Sequence, residues 1–241
     1  MSGFVLSVEN LTRRFGGLVA VNDVSFQLRK GDLLSIIGPN GAGKTTMFNL
    51  VTGQYPPSAG RVIFNGADIS GLRPHARAKL GLGRTFQISK TLTTLTTLEN
   101  AMVGAFLKRQ NLSEAADYAM HVLDMVGLGA RAGIKAGTLT LSERRRLEIA
   151  RALALDCSVL LLDEVMAGLN QKEVESVIDL VRKLNGEGLT IMVIEHNLKV
   201  VRAFQSRVIV LDFGRLIADG TPDDVLSDPH VVEAYLGRQD A

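Results

Sequence analysis

The chain has 241 residues, between one and two domains at about 150 residues each, and its 46% hydrophobic and 22% charged content supplies enough apolar material for a sizeable core. A net charge of +2, from 27 basic and 25 acidic side chains, is too small a bias for a protein that grips nucleic acid along its length. Cys157 is the only cysteine, which excludes an intrachain disulfide and a cysteine-held zinc cluster and suits a reducing compartment. The opening MSGFVLSVENLTRRF lacks the basic and long apolar segments of a signal peptide. No apolar run approaches the roughly 18 to 20 residues needed to cross a bilayer, so membrane association is expected only through a partner.

Residues Phe4 to Phe64 read mainly as strand, in short alternating runs such as Val24, Phe26 and Leu28, punctuated by Gly16-Gly17, Gly31 and Gly60. One segment departs from this: the apolar run Leu33 to Ile37 ends in a glycine-rich stretch and gives way to a helical pattern, Lys44 to Val51. From about Gln87 to Ala136 the pattern is helical, with a capping box at Thr96 and Glu99, and this is the expected start of an appended helical lobe. A helix around Arg144 to Leu155 follows. Its basic run, Arg144 to Arg146, has acidic neighbours at Glu143 and Glu148 and reads as a solvated face. Then come a buried strand, Val159 to Leu162, and a helix opened by Asn170 and Glu173 with the face Val174, Val177, Ile178, Val181 and Leu184. Another buried strand, Ile191 to Ile194, completes three continuous apolar strands among amphipathic helices, which predicts a parallel sheet covered on both faces. Thr221-Pro222 and Asp228-Pro229 each set a capping residue before a proline suited to a first helical turn.

Gly38, Pro39, Asn40, Gly41, Ala42, Gly43, Lys44 and Thr45 fit the pattern GxxxxGK[ST], between a predicted strand and a predicted helix. Its glycines let successive backbone N–H groups turn toward one centre, a cradle for phosphate oxygens at a helix N-terminus. Lys44 is expected to reach the terminal phosphates of ATP, Thr45 to hold magnesium, and Thr46 to complete the nucleotide contacts. Chance produces such a match in on the order of one in a hundred chains of this length. The second element, VLLLDE, ends a buried strand in two adjacent carboxylates, at the sheet edge where α/β proteins place ligands. Asp163 is expected to bind magnesium directly or through water, and Glu164 to orient or deprotonate the attacking water.

With both elements present, the chain resembles the ATP-binding subunits of ABC transporters over nearly its whole length, through LVAVNDVSFQLRKGDLLSIIGPNGAGKTT and LEIARALALDCSVLLLDE. The resemblance implies a P-loop NTPase fold of the ABC ATPase kind, α/β, with an antiparallel β portion near the N-terminus. It implies one ABC domain over residues 1–241, with residues 1–87 and 156–241 as the α/β core and residues 88–155 as an inserted helical lobe. It also assigns Phe15 to stacking on adenine, Gln87 of RTFQ to sensing magnesium and passing movement to a membrane subunit, and His196 of VIEHN to the γ-phosphate. AGLN, comprising Ala167, Gly168, Leu169 and Asn170, looks like the D-loop. Taken singly, Phe15 reads as core, Gln87 as a surface amide and His196 as a strand-end histidine. Their order and spacing reverse those readings.

The family's LSGGQ signature falls on Leu139, Thr140, Leu141, Ser142 and Glu143, without its two glycines and its glutamine. In the family this segment acts on ATP bound to the opposite subunit. Thr140 keeps a hydroxyl and Ser142 is a candidate cap for the following helix, whereas Leu141 and Ser142 restrict the close backbone approach that glycine allows. Val165 stands where a proline usually follows the catalytic glutamate. Either the chain pairs with a paralogue bearing a full signature, or a homodimer works with this one; the heterodimer is favoured. The resemblance further implies the cofactors ATP and Mg2+, membrane permease subunits, an indirectly coupled solute-binding protein, no nucleic acid, and a place on the cytoplasmic face of the membrane. RTFQISKTLTTLTTLENAMVGA, LDEVMAGLN and ADGTPDDVLSDPHVVEAYLG look most like ATPases of branched-chain amino acid importers and their urea and amide relatives. A lipopolysaccharide-export ATPase is the alternative. Soluble ABC ATPases acting on DNA or ribosomes, with coiled-coil arms or fused cassettes, and a non-hydrolysing subunit fit less well.

Overall fold

The structure, a computed structural model, describes residues 3–85 and 91–236. In chain order it begins with β1 (Phe4–Phe15), β2 (Leu18–Arg29), β3 (Leu33–Ile37), α1 (Lys44–Val51), β4 (Ala59–Phe64), β5 (Ala67–Asp68), α2 (Pro74–Leu80) and β6 (Leu82–Arg84). There follow α3 (Thr97–Ala105), α4 (Leu112–Met125), α5 (Leu141–Leu153), β7 (Val159–Asp163) and α6 (Gln171–Gly186). The last stretch holds β8 (Thr190–Ile194), α7 (Leu198–Phe204), β9 (Arg207–Asp212), β10 (Arg215–Gly220), α8 (Pro222–Ser227) and α9 (Pro229–Leu236).

The chain gathers into two compact units, one formed up to Arg77 and from Asn185 onward, the other by Ala78–Leu184. The second unit is wider than the 88–155 lobe read from the sequence. The reason is strand pairing: β6 and β7 run parallel, Leu82 beside Val159 and Arg84 beside Leu161, and α5 packs on both. These strands therefore fall in the same compact unit as the helices.

In the first unit β1 pairs antiparallel with β2 on one side and β4 on the other, and the short β5 extends the sheet. Alternation accounts for it, since Val24, Phe26 and Leu28 are buried while Ser25, Gln27 and Arg29 between them are exposed. The fully or nearly buried, mostly apolar β3 and β8 instead pair in parallel, and β3 pairs in parallel with β9 on its other edge. β10 closes the edge as an antiparallel hairpin with β9. Ser35 is the polar exception in β3, and its hydroxyl is satisfied by that of Ser206 at 2.8 Å. Ile37, Val201, Val208, Val210, Val225 and Val231 form the core beneath the C-terminal helices. Thr221 caps α8 through the Asp224 N–H and Pro222 occupies its first turn, as the sequence predicts.

Arg77, at 1% exposure, closes the C-terminal end of α1: its Nη1 donates to Leu50 O at 2.7 Å and Val51 O at 2.8 Å, and its Nη2 to Ser70 O at 2.7 Å. A cation there satisfies carbonyls that have no partner within the helix. Burial pulls its pKa down to about 10.

In the second unit the predicted capping box is present: Thr96 accepts from the Glu99 N–H, and Glu99 accepts from the Thr96 N–H at 2.7 Å. α3 packs on α4 and α5, and the small side chains Ala105, Ala115 and Ala154 let these elements approach closely. The buried residues of α6 are Val177, Ile178, Leu180, Val181 and Leu184, close to the face read from periodicity, with Val174 at its half-buried margin.

Candidate nucleotide site

The phosphate loop begins where β3 ends. Gly38 has φ 146°, and a β-carbon there would overlap the Leu211 carbonyl of β9. Gly43, φ 100°, stands at the N-terminus of α1, where a β-carbon would overlap the Ala20 carbonyl. That carbonyl is delivered by an irregularity in the β1–β2 ladder: Arg13 faces Val21 but Arg14 faces Val19, so Ala20 has no partner in the register. The turn between β9 and β10 braces the loop too, because the Gly214 N–H donates to Ala42 O at 3.0 Å. Two glycines of the motif are thus required by backbone from other strands. Lys44, 7% exposed, folds back so that its ammonium donates to Gly38 O at 2.7 Å and Pro39 O at 2.9 Å, holding the loop's entry to its exit. Thr45 is exposed and Thr46 half-exposed on the first turn of α1, and Asn40 and Gly41 are exposed at the loop's crest.

Phe15 ends β1 at 38% exposure, and its ring meets that of Tyr55 edge-on, centroids 5.2 Å apart. His196 lies just past β8. The Glu195 N–H still donates to Ile36 O of β3, and Asn197 caps α7 by accepting from the Lys199 N–H. His196 is therefore pinned on both sides, exposed, at the end of a strand that neighbours the one feeding the phosphate loop.

Within the second unit, β7 delivers Asp163 at 1% exposure and Glu164 directly after it. The Arg84 guanidinium donates to Asp163 Oδ2 at 2.8 Å, and the Asp163 N–H donates to Thr85 Oγ1 at 3.1 Å. Sequence reasoning missed Arg84 and Thr85, although they open the RTFQ run. Glu164 is half-buried with φ 49°, a left-handed conformation rarely adopted by non-glycine residues. Past it the chain turns tightly, the Ala167 N–H donating to Glu164 O and the Leu169 N–H to Met166 O. Gly168 is exposed, and Asn170 forms a reciprocal cap with Glu173 at the start of α6. Gln87 lies outside the described residues.

The signature segment corrects two expectations. Thr140, not Ser142, caps α5: its hydroxyl accepts from the Glu143 N–H while the Glu143 carboxylate accepts from the Thr140 N–H at 2.9 Å. The spacing Thr-x-x-Glu is that of a capping box, and it leaves Ser142 one residue inside the helix. Nor is Arg144 to Arg146 a solvated face. Arg144 donates to Leu139 O and Gly137 O, Arg145 pairs with Glu148 at 3.2 Å while buried, and Arg146 donates to Val126 O and to Ser176 Oγ. Arg144 and Arg146 clamp surrounding backbone while Arg145 is held in a buried ion pair, and Arg144 fixes the entry of the signature segment itself.

The Thr140 N–H holds the Glu143 carboxyl below the usual carboxylate range, a shift that burial opposes and the Arg131 guanidinium at 2.9 Å reinforces. A carboxyl lowered on folding contributes stability above its unfolded pKa, near 4.5, and loses it as pH falls through the folded value. Glu143→Gln is therefore less stable than the wild type at pH 6, by about 0.5–1 kcal/mol on the scale of a helix cap. Thermal unfolding followed from pH 6 to pH 3 shows that gap closing; a constant gap assigns the effect to shape rather than charge.

The oxygen donors at these positions, the Thr45 hydroxyl and the Asp163 carboxylate, are of the hard kind that suits Mg2+. A family profile described as "ABC transporter" matches residues 21–167, and one described as "Branched-chain amino acid ATP-binding cassette transporter" matches residues 215–241. The chain is 41% identical to the high-affinity branched-chain amino acid transport ATP-binding protein BraF of Pseudomonas aeruginosa, over 99% of this chain and 100% of that protein. It is 36% identical to the lipopolysaccharide export system ATP-binding protein LptB of Escherichia coli, over 97% of each. Among solved structures, the ADP conformation of MJ1267, an ATP-binding cassette of an ABC transporter, matches with a TM-score of 0.89 at 32% identity, over 98% of this chain and 99% of that one.

Proposed function

We propose that this chain, an ATPase belonging to the ABC transporter family, powers the import of branched-chain amino acids. The observation that carries the cargo is the branched-chain profile over residues 215–241, supported by full-length identity that is higher to BraF than to LptB. Lipopolysaccharide export, the task in LptB's name, is the weaker reading.

In this reading Phe15 stacks on adenine, and residues 38–46 wrap the phosphates with backbone N–H groups and the Lys44 ammonium. Thr45, Asp163 and Gln87 serve the magnesium, whose charge offsets that developing on the phosphate oxygens. Glu164 takes the proton of the attacking water or orients it, and His196 contacts the γ-phosphate. Residues 139–143 act on the nucleotide of an opposite subunit, with Ala167 to Asn170 beside them as the D-loop. Closure on the γ-phosphate and reopening after its loss drive the permease, because that phosphate supplies contacts that ADP lacks.

In this reading permease subunits hold the chain on the cytoplasmic face of the membrane; among the described residues no helix is long and apolar enough to cross it. The solute-binding protein acts indirectly, through that permease, and nucleic acid has no part. The second ATP-binding subunit is a paralogue with a full signature, since Leu141 and Ser142 put side chains where close backbone approach is needed. The test is reconstitution of the chain with its copurifying partners in vesicles. Hydrolysis low in the isolated chain, raised by the paralogue and raised again by a leucine-loaded binding protein, supports the reading. Brisk turnover by the lone chain overturns the heterodimer, and indifference to every branched-chain amino acid overturns the cargo.

A further inference from the structure

Arg13 and Phe15 are two residues apart on β1, and the register irregularity beside them places its extra residue on β2, so both side chains leave the same face of β1. The guanidinium carbon of Arg13 lies 4.6 Å from the centroid of the Phe15 ring and 5.5 Å from that of Tyr55, while the two rings meet at 80°. Arg13 Nη1 also donates to Pro56 O at 2.8 Å, which fixes the cation in place. The neighbouring backbone is tied to β1 as well: the Ser58 N–H donates to Thr12 O at 2.8 Å, and the Arg14 N–H to Ser58 Oγ at 3.0 Å. Tyr55 is positioned from the other side, its N–H donating to Asn49 O of α1. The cluster therefore joins the end of β1 to the helix whose N-terminus carries the phosphate loop.

A phenyl ring has two faces, and a cation against one of them is held by the ring quadrupole. With the cation over one face and the Tyr55 ring meeting it at 80°, Phe15 is still 38% exposed, and a planar base needs one open ring face to stack on. We propose that Arg13 is a positioning residue for the nucleotide base: it backs the Phe15 ring so that adenine stacks on the free face. This rests on the reading of Phe15 as the stacking aromatic. It adds a residue that the phosphate-loop motif does not contain.

The test compares two ligands on the full chain by calorimetry, Mg-ATP and inorganic tripolyphosphate, which offers the phosphates without a base. Arg13→Ala weakens ATP about fivefold and leaves tripolyphosphate unchanged, and Arg13→Lys recovers most of the loss. In the reconstituted transporter the same variant raises KM for ATP with kcat unchanged. Unaltered ATP affinity in Arg13→Ala, or equal weakening of both ligands, overturns the proposal. Phe15→Ala separates the role of Arg13 from that of the ring it backs. A loss of ATP affinity there without one in Arg13→Ala sinks the role of Arg13 alone, whereas no loss in Phe15→Ala removes the stacking reading and this proposal with it.

Discussion

Replacing Glu164 with glutamine leaves ATP binding intact and lowers hydrolysis about a hundredfold or more, the range expected when a general base is removed. Glutamine has the size and shape of glutamate, so the backbone at φ 49° is asked for nothing new and only the charge is lost. That conformation costs a non-glycine residue roughly 1–2 kcal/mol, and it is held at the end of a strand whose residues are all buried. A second variant exploits the strain. Glu164→Gly removes the carboxylate but accepts φ 49° freely, so it loses hydrolysis to a similar degree without a fall in Tm. Phosphate release by the assembled transporter, read beside thermal unfolding of the chain, checks both. Hydrolysis by Glu164→Gln within threefold of the wild type would reassign the base, and a lower Tm for Glu164→Gly would deny the strain.

The strand, loop and helix of the glycine-rich motif were legible because the pattern is local: strand, glycines, lysine and helix follow one another within fourteen residues of sequence, Leu33 to Thr46. So were β3, β7 and β8 as buried runs, and the cap at Thr96, each of which depends on residues a few positions apart. What escaped was whatever needs a partner from elsewhere. Arg84 and Asp163 are 79 positions apart, and nothing in RTFQ declares that its arginine will grip a carboxylate on β7. Arg144 to Arg146 looked solvated because composition counts charges, whereas their acceptors are mostly backbone carbonyls, which every residue carries and no sequence pattern marks. The misplaced cap has another cause. Thr140 and Glu143 carry the capping-box spacing openly, but the family's signature drew attention to Thr140 as a phosphate-binding hydroxyl and passed the cap to Ser142.

The same distinction between local pattern and distant partner separates the glycines of the phosphate loop, and Gly38→Ala should show it. At Gly38 an alanine meets two penalties: a φ of 146° that L-residues rarely adopt, and a β-carbon overlapping the Leu211 carbonyl, which is backbone in a paired strand and cannot swing aside. Strain of roughly 1–2 kcal/mol and overpacking of roughly 1–3 kcal/mol add to about 3 kcal/mol, or a Tm lower by roughly 10 °C for a chain of this size. Relief comes only by moving β9 or the loop, and a moved loop no longer turns its N–H groups to one centre. Nucleotide affinity accordingly falls more than tenfold. Gly41 sits in the same motif with φ 80° but has open space where its β-carbon would go, so Gly41→Ala carries the strain alone and loses roughly 3–5 °C. Thermal unfolding with and without Mg-ATP measures both quantities for each variant. Equal losses at the two positions would mean that the loop is shaped by its own dihedral preferences, and that the bracing by Leu211, Ala20 and Gly214 around it is incidental.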